Sequence, residues 1–206
     1  MLDFEILEVG QLGCNCAILW DTSDKVAAVF DPGDEAERIS KAVARLGISV
    51  KAILLTHAHF DHVGAAAALQ ELWTCPVQLH PLDMPLLEHM DEQTSHFRFP
   101  PIKKPAVSPL GEDLPLGIKL MHTPGHSPGS CSFLTETTKG ATVLSGDTLF
   151  ARGVGRTDLL GGSFEALENS IRTKLYTLPP ETIVIPGHGP KTTIAAERRG
   201  NPHVRG

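Results

Sequence analysis

Thr56-His57-Ala58-His59-Phe60-Asp61-His62 is the stretch on which the reading of this chain turns. It follows the apolar run Ala52-Ile53-Leu54-Leu55 and leads into a helix expected from about Val63 to Leu72. Three imidazoles and one carboxylate stand within six positions, and both ligand types suit a borderline divalent cation. At a strand end, residues two apart project to the same side, so His57 and His59 share a direction. Asp61 and His62 lie on the turn into the helix and are aimed differently. One ion cannot easily take all four, so the spacing predicts two ions sharing one loop. A polar surface loop needs no such density of ligands.

Three further segments end strands in the same manner. His122-Thr-Pro-Gly-His126-Ser-Pro-Gly-Ser130 follows the strand expected over Ile118–Met121. Ser145-Gly146-Asp147 follows Ala141–Leu144, and Pro186-Gly187-His188-Gly189 follows Thr182–Ile185. Each carries a ligand type on a glycine-containing loop, where backbone can approach a crowded centre. His122 competes with His126 in the first of these. His126 is preferred because Gly125 and Ser127-Pro128-Gly129 flank it. Ser127, Ser130 and Ser145 read as turn residues rather than nucleophiles.

The rest of the chain sets bounds. Its 206 residues suit one domain spanning 1–206 with a core that needs no covalent staples. Lys and Arg number 18 against 24 Asp and Glu, a net charge of −6, which argues against nucleic acid as a partner. No apolar run approaches the roughly 18–20 residues of a membrane span. The acidic start Met1-Leu2-Asp3-Phe4-Glu5 lacks the features of a signal peptide. Cys14, Cys16, Cys75 and Cys131 form no C-x-x-C pair and are expected as reduced core thiols of a cytoplasmic protein. Cys14-Asn15-Cys16 is readable as a redox pair, though its strand-like setting favours packing. A monomer or weak dimer is expected.

Strands are expected over Phe4–Val9, Cys16–Trp20, Val26–Phe30, Ala52–Leu55, Val77–Leu79 and Cys131–Leu134, besides those above. Helices are expected over Asp34–Leu46, Pro81–Met90, Phe164–Leu175 and Thr192–Arg199. Residues 91–115 carry five prolines and predict a long irregular excursion, in which Phe97, Arg98 and Phe99 form a lid or an anchor. The alternation of strands and helices predicts layered α/β structure.

The pattern H-x-H-x-D-H, followed by His, Asp and His, resembles the metallo-β-lactamase superfamily over nearly the whole chain. Gly146-Asp147-Thr148-Leu149-Phe150, Gly153-Val-Gly155-Arg156-Thr157-Asp158 and Pro186-Gly187-His188-Gly189 resemble its glyoxalase II branch, the hydroxyacylglutathione hydrolases, in their short single-domain form. This implies a four-layer αββα sandwich with a metal site at one edge. It places His57, His59 and His126 on one metal ion, and Asp61, His62 and His188 on a second. Asp147 would bridge both, which makes Asp61 and Asp147 the catalytic carboxylates. Asp31 matches a position that orients a ligand histidine, and is equally readable as a turn former. The cofactors implied are two divalent ions, zinc foremost, with iron or manganese also suited. The activity implied is cleavage of a small-molecule thioester, S-D-lactoylglutathione or a relative, by metal-activated water.

For the thiol carrier, Arg156 matches a basic position of the glyoxalase II enzymes, and Arg152 is a second candidate. Two departures stand out. Asp158 occupies a position where longer members tend to have an aromatic, and only 18 residues follow His188, where longer members add a helical domain. Arg198 and Arg199 in that tail either reach the site or favour the end of the closing helix. An alternative of similar fold is a persulfide dioxygenase. It shares the run at Gly155–Asp158 and would hold one iron with His57, His126 and Asp147.

Overall fold

β1 (Leu2–Val9) and β2 (Cys14–Asp21) form an antiparallel hairpin with Leu2 opposite Asp21 and Val9 opposite Cys14. The computed structural model describes residues 1–111 and 113–206. β3 (Val26–Phe30) pairs antiparallel with β2. β4 (Ser49–Leu54), β5 (Val77–Leu79) and β6 (Val107–Pro109) then add in parallel. Parallel addition requires crossovers. α1 (Ala36–Leu46) makes the first, and α2 (Phe60–Val63) with α3 (Ala66–Trp73) the second. α4 (Met84–Glu88) and α5 (Met90–His96) belong to the third.

The second half is built on β8 (Cys131–Thr137) and β9 (Gly140–Gly146), an antiparallel pair with β7 (Lys119–His122) on the flank of β8. β10 (Leu149–Phe150) and β11 (Gly153–Val154) form a separate short hairpin. After α6 (Phe164–Ser170), β12 (Ile183–Pro186) joins β9 in parallel. β13 (Thr192–Thr193) closes the edge before α7 (Ile194–Gly200). The halves meet where Leu2 of β1 pairs with Thr137 of β8, giving one 11-stranded sheet.

Side-chain alternation shows how that sheet is layered. Ile18, Val29 and Ile53 belong to a core that includes Ile39 and Val43 of α1 and Leu69 of α3. Their neighbours Leu19, Phe30 and Leu54 belong to a second core, shared with Phe133, Leu144 and Ile185 of the other half. Val143 and Val184 belong to a third, with Leu167 of α6, Ile171, Leu175 and Ile194. Three cores separate four layers, in the order helix, sheet, sheet, helix. The expected αββα sandwich is what the chain forms. In its middle the Phe30 and Phe133 rings meet with centroids 5.1 Å apart. Truncating such a fully buried ring costs about 3–5 kcal/mol.

Several expectations need correction. The helix from Val63 to Leu72 is broken into α2 and α3. A Cβ at Gly64 would lie 2.2 Å from the Gly33 carbonyl oxygen, and Ala65 donates its N–H to the Pro32 carbonyl instead of to a helical partner. The stretch 91–115 is not wholly irregular, because its prolines begin only at Pro100 and leave Met90–His96 free to form α5. Residue 112 of that stretch lies outside the described residues. Phe97 and Phe99 pack on Phe60, with ring centroids 5.5 and 4.8 Å apart, and so act as anchors. Thr192–Thr193 is a strand, with Thr193 capping α7 through the Ala196 N–H. Among the described residues no helix is long and apolar enough to cross a membrane.

Candidate metal centre

The sandwich brings its strand ends to one edge, and the chemistry collects there. Asp31 follows β3 and sits behind the His-rich loop. Its Oδ1 accepts the Thr56 N–H at 2.7 Å, and its Oδ2 accepts the Thr56 hydroxyl at 2.6 Å. Because the Thr56 hydroxyl donates to Asp31, it accepts from Nδ1 of His57, 2.9 Å away. His57 therefore keeps its lone pair on Nε2. The same logic fixes three other rings. Nδ1 of His62 donates to Asp31 at 3.0 Å, Nδ1 of His126 to the Arg156 carbonyl at 2.7 Å, and Nδ1 of His188 to the Leu12 carbonyl at 3.0 Å. Each ring thus presents Nε2, while His59 turns Nδ1 inward.

These atoms converge. Nδ1 of His59 lies 2.8 Å from Nε2 of His126, and with His57 the three form one trio of inward-facing nitrogens. Nε2 of His188 lies 3.1 Å from Nε2 of His62 and 3.2 Å from Oδ2 of Asp61, which forms a second trio. Asp147 stands between them. Its Oδ2 is 3.6 Å from Nε2 of His126 and 3.7 Å from Nε2 of His188, and its Oδ1 is 3.5 Å from Nε2 of His62. Asp31 also falls near His57 and His62, but both of its oxygens are taken by Thr56 and His62, so it orients rather than binds.

Two observations show that divalent ions fit this cluster. Nε2 of His57 and Oδ1 of Asp147 are buried without a hydrogen-bond partner, a costly arrangement that a cation between the trios relieves. The backbone is also pared to make room. A Cβ at Gly187 would fall 2.1 Å from Oδ1 of Asp147, and one at Gly155 would fall 1.9 Å from the Asp147 carbonyl oxygen.

The electrostatics differ between the trios, and although burial opposes it, His62 is raised well above its ordinary pKa by Cys14, Asp147, Asp61 and Asp31. Burial pushes His57 far below its ordinary pKa and His59 down to about 3, so both rings are neutral. Burial works against the Asp61 carboxylate, yet His62 and His188 hold it well below the usual carboxylate range. Burial likewise opposes a charged His188, but Asp61 and Asp147 raise it overall.

Asp83 is a residue the sequence reading missed. It ends the 3₁₀ turn Pro81–Asp83 and is fully buried. Its carboxylate accepts the Ala58 N–H at 3.1 Å, the Ser127 hydroxyl at 2.7 Å and the Gly129 N–H at 2.6 Å. It therefore ties the loop of His57 and His59 to the loop of His126. Burial pushes its carboxyl above the usual range, although all three donors pull the other way. Nothing in the sequence links position 83 to positions 127–130.

The other candidates fall as follows. His122 donates from Nε2 to the Pro128 carbonyl at 2.8 Å and stacks on His80, away from the cluster. Ser127 and Ser130 hydrogen-bond each other at 2.7 Å within their turn, and Ser145 donates to the Leu149 carbonyl at 2.9 Å. Arg156 is exposed and paired with Asp158 through two bonds of 2.7 and 2.8 Å. Its backbone, rather than its guanidinium, meets the cluster. Arg152 is also exposed, and its N–H donates to the buried Glu197 at 2.9 Å. Arg198 and Arg199 end α7 on the surface.

The metallo-beta-lactamase superfamily model matches residues 9–188. Hydroxyacylglutathione hydrolase GloC of Haemophilus influenzae is 40% identical, with 98% of each chain covered. Among solved structures, TTHA1623 in a di-iron-bound form superposes with a TM-score of 0.88 at 43% identity, covering 97% of this chain and 100% of that one. The BLEG-1 B3 metallo-beta-lactamase superposes with a TM-score of 0.90 at 39% identity, covering 99% and 100%. The chain belongs to the metallo-beta-lactamase superfamily.

Proposed function

We propose that this protein is a binuclear metal-dependent hydrolase that cleaves a thioester, S-D-lactoylglutathione or a related hydroxyacylglutathione. His57, His59 and His126 would hold one ion, Asp61, His62 and His188 the other, and Asp147 both. The observation that carries this is the pair of trios sharing Asp147, with the inward nitrogens of His57, His62, His126 and His188 set by hydrogen bonds on the far side of their rings. The imidazole and carboxylate donors suit zinc, and also iron or manganese. A bound pair of such ions activates water and polarises a carbonyl near neutral pH.

The chain's own residues supply orientation and charge. Asp31, the Arg156 carbonyl and the Leu12 carbonyl hold the rings. Asp61 and Asp147 offset part of the positive charge. The Arg156 guanidinium, paired only at the surface, is free to exchange Asp158 for a carboxylate of the thiol carrier. The relative named hydroxyacylglutathione hydrolase supports glutathione as that carrier.

The test joins elemental analysis of the purified protein to hydrolysis of S-D-lactoylglutathione. Two ions per chain are expected, and Asp147→Ala should lose metal together with more than about 100-fold of turnover. Full turnover in that variant overturns the proposal. So does a single iron per chain with oxygen consumption on a persulfide.

A further inference from the structure

A cavity of about 290 Å³ opens beside Asp61, between the loop joining β1 to β2 and the segment that follows α5. It lies at the second trio. Asp61 lines it, and so does Leu12, whose carbonyl holds His188. Parts of its lining are closely packed. On its floor a Cβ at Gly33 would sit 1.7 Å from the Asp61 carbonyl oxygen, so these backbones are in contact. On its wall the Phe99 ring is packed against Phe60.

Its lining is mixed. Most of the side chains are apolar, among them Val9, Leu12, Phe60, Phe99 and Ile102, and Gln11 is the uncharged polar one. The charged groups along it are Asp34, Asp61 and Lys103, and Lys103 is paired with Glu71. Its one cation among the described residues, Lys103, sits at the exposed rim with Glu71, and Asp34 adds a carboxylate of its own. The exposed guanidinium of Arg156 belongs to the opposite end, since the Arg156 carbonyl holds His126 of the first trio. With its anionic carrier toward Arg156, as proposed above, a thioester lying across both trios would direct its acyl group toward the cavity. Size adds a second constraint. At roughly 30 Å³ for a water-sized group the cavity holds roughly ten, about twice a lactoyl group.

We infer that this cavity takes the acyl chain of the substrate, and that the chain it fits is apolar and longer than lactoyl. The inference rests on the thioester reading and deepens it. The pocket is of the kind that supplies affinity through desolvation, each buried methylene adding about fourfold.

The experiment compares kcat/KM of the metal-loaded protein on S-lactoyl-, S-butyryl- and S-hexanoylglutathione, beside calorimetric binding of hexanoate and acetate. The expected result is a rise of at least about tenfold from lactoyl to hexanoyl, and hexanoate binding at least about tenfold tighter than acetate. Ile102→Trp and, at the half-exposed rim, Leu12→Trp should each flatten both gradients. Flat or falling gradients in the unaltered protein overturn the inference, as do gradients that persist in both variants. If no thioester is cleaved but hexanoate is preferred and both variants lose that preference, the thioester reading fails while the cavity assignment stands. If thioesters are cleaved without either gradient, the cavity assignment alone falls.

Discussion

Oδ2 of Asp31 lies 3.0 Å from Nδ1 of His62, and the same oxygen takes the Thr56 hydroxyl at 2.6 Å. One carboxylate thereby sets the tautomers of two imidazoles, His62 directly and His57 through Thr56. Asp31→Asn preserves volume but offers Thr56 and His62 one acceptor oxygen in place of two. Metal affinity should fall about 10–100-fold, as for other partners behind ligand histidines. Competition with a chromophoric chelator measures it, and an unchanged affinity would remove Asp31 from the orienting role.

Asp83→Ala leaves three buried donors without their acceptor. At about 1–3 kcal/mol for each, the loss should be about 3 kcal/mol or more. For a chain of this size that is a fall in Tm of roughly 6–12 °C. Calorimetry of the metal-free protein reads this directly. A loss below about 1 kcal/mol would mean that water replaces the carboxylate.

Arg156 and Asp158 make opposite predictions. If the guanidinium exchanges its partner for a substrate carboxylate, Arg156→Ala should raise KM on a glutathione thioester about tenfold with little change in kcat. Asp158→Ala should lower KM, because it removes the competitor. Steady-state kinetics on both variants decide the matter, and a KM unmoved by either would place the carrier elsewhere.

Metal retention should weaken in acid, with a sign that follows from His188. Asp61 and Asp147 raise this ring above its ordinary pKa, so the metal-free protein keeps the proton at pH values where a free imidazole has lost it. Binding must expel that proton. Apparent affinity should therefore be fully present above the raised pKa and fall about tenfold per pH unit below it for each proton displaced. Equilibrium dialysis between pH 5 and 8 measures the slope, and a flat profile would show that the ring enters the site unprotonated.

The thiols should be inert. Cys14 is buried and its pKa is pushed up to about 11 by that burial, and Cys131 likewise to about 12. A thiol reagent at pH 8 should label the native protein negligibly and all four cysteines after unfolding. Rapid native labelling, or isolation of a bridge between Cys14 and Cys16, would restore the redox reading that their packing within β2 argues against.

The layering was legible because local rules and global structure agree. Runs such as Ala52–Leu55 are apolar at every position since both faces of β4 are covered. The strand-end positions of His57, Asp147 and His188 were legible for the same reason, because a buried strand must deliver its polar residues at its end. What escaped is what depends on distant partners. Asp83 looks like any turn acid until Ser127 and Gly129 are beside it. β10 and β11 are two residues each, too short for periodicity to reveal. α5 was hidden by prolines that lie beyond it, and the break at Gly64 depends on Gly33 from another loop. The cavity beside Asp61 is assembled from four separate segments, none of which advertises an opening.

The join between the two sheet halves has a further consequence. His57, His59, Asp61 and His62 come from one half, whereas His126, Asp147 and His188 come from the other, and the backbones of the halves meet where Leu2 pairs with Thr137 and where Cys14 bridges to His188. Ions seated between the trios would rivet the seam at its far end. Occupancy and foldedness then become linked equilibria, in which free metal adds to the hold of the shared core on the two halves and a chelator takes that increment away.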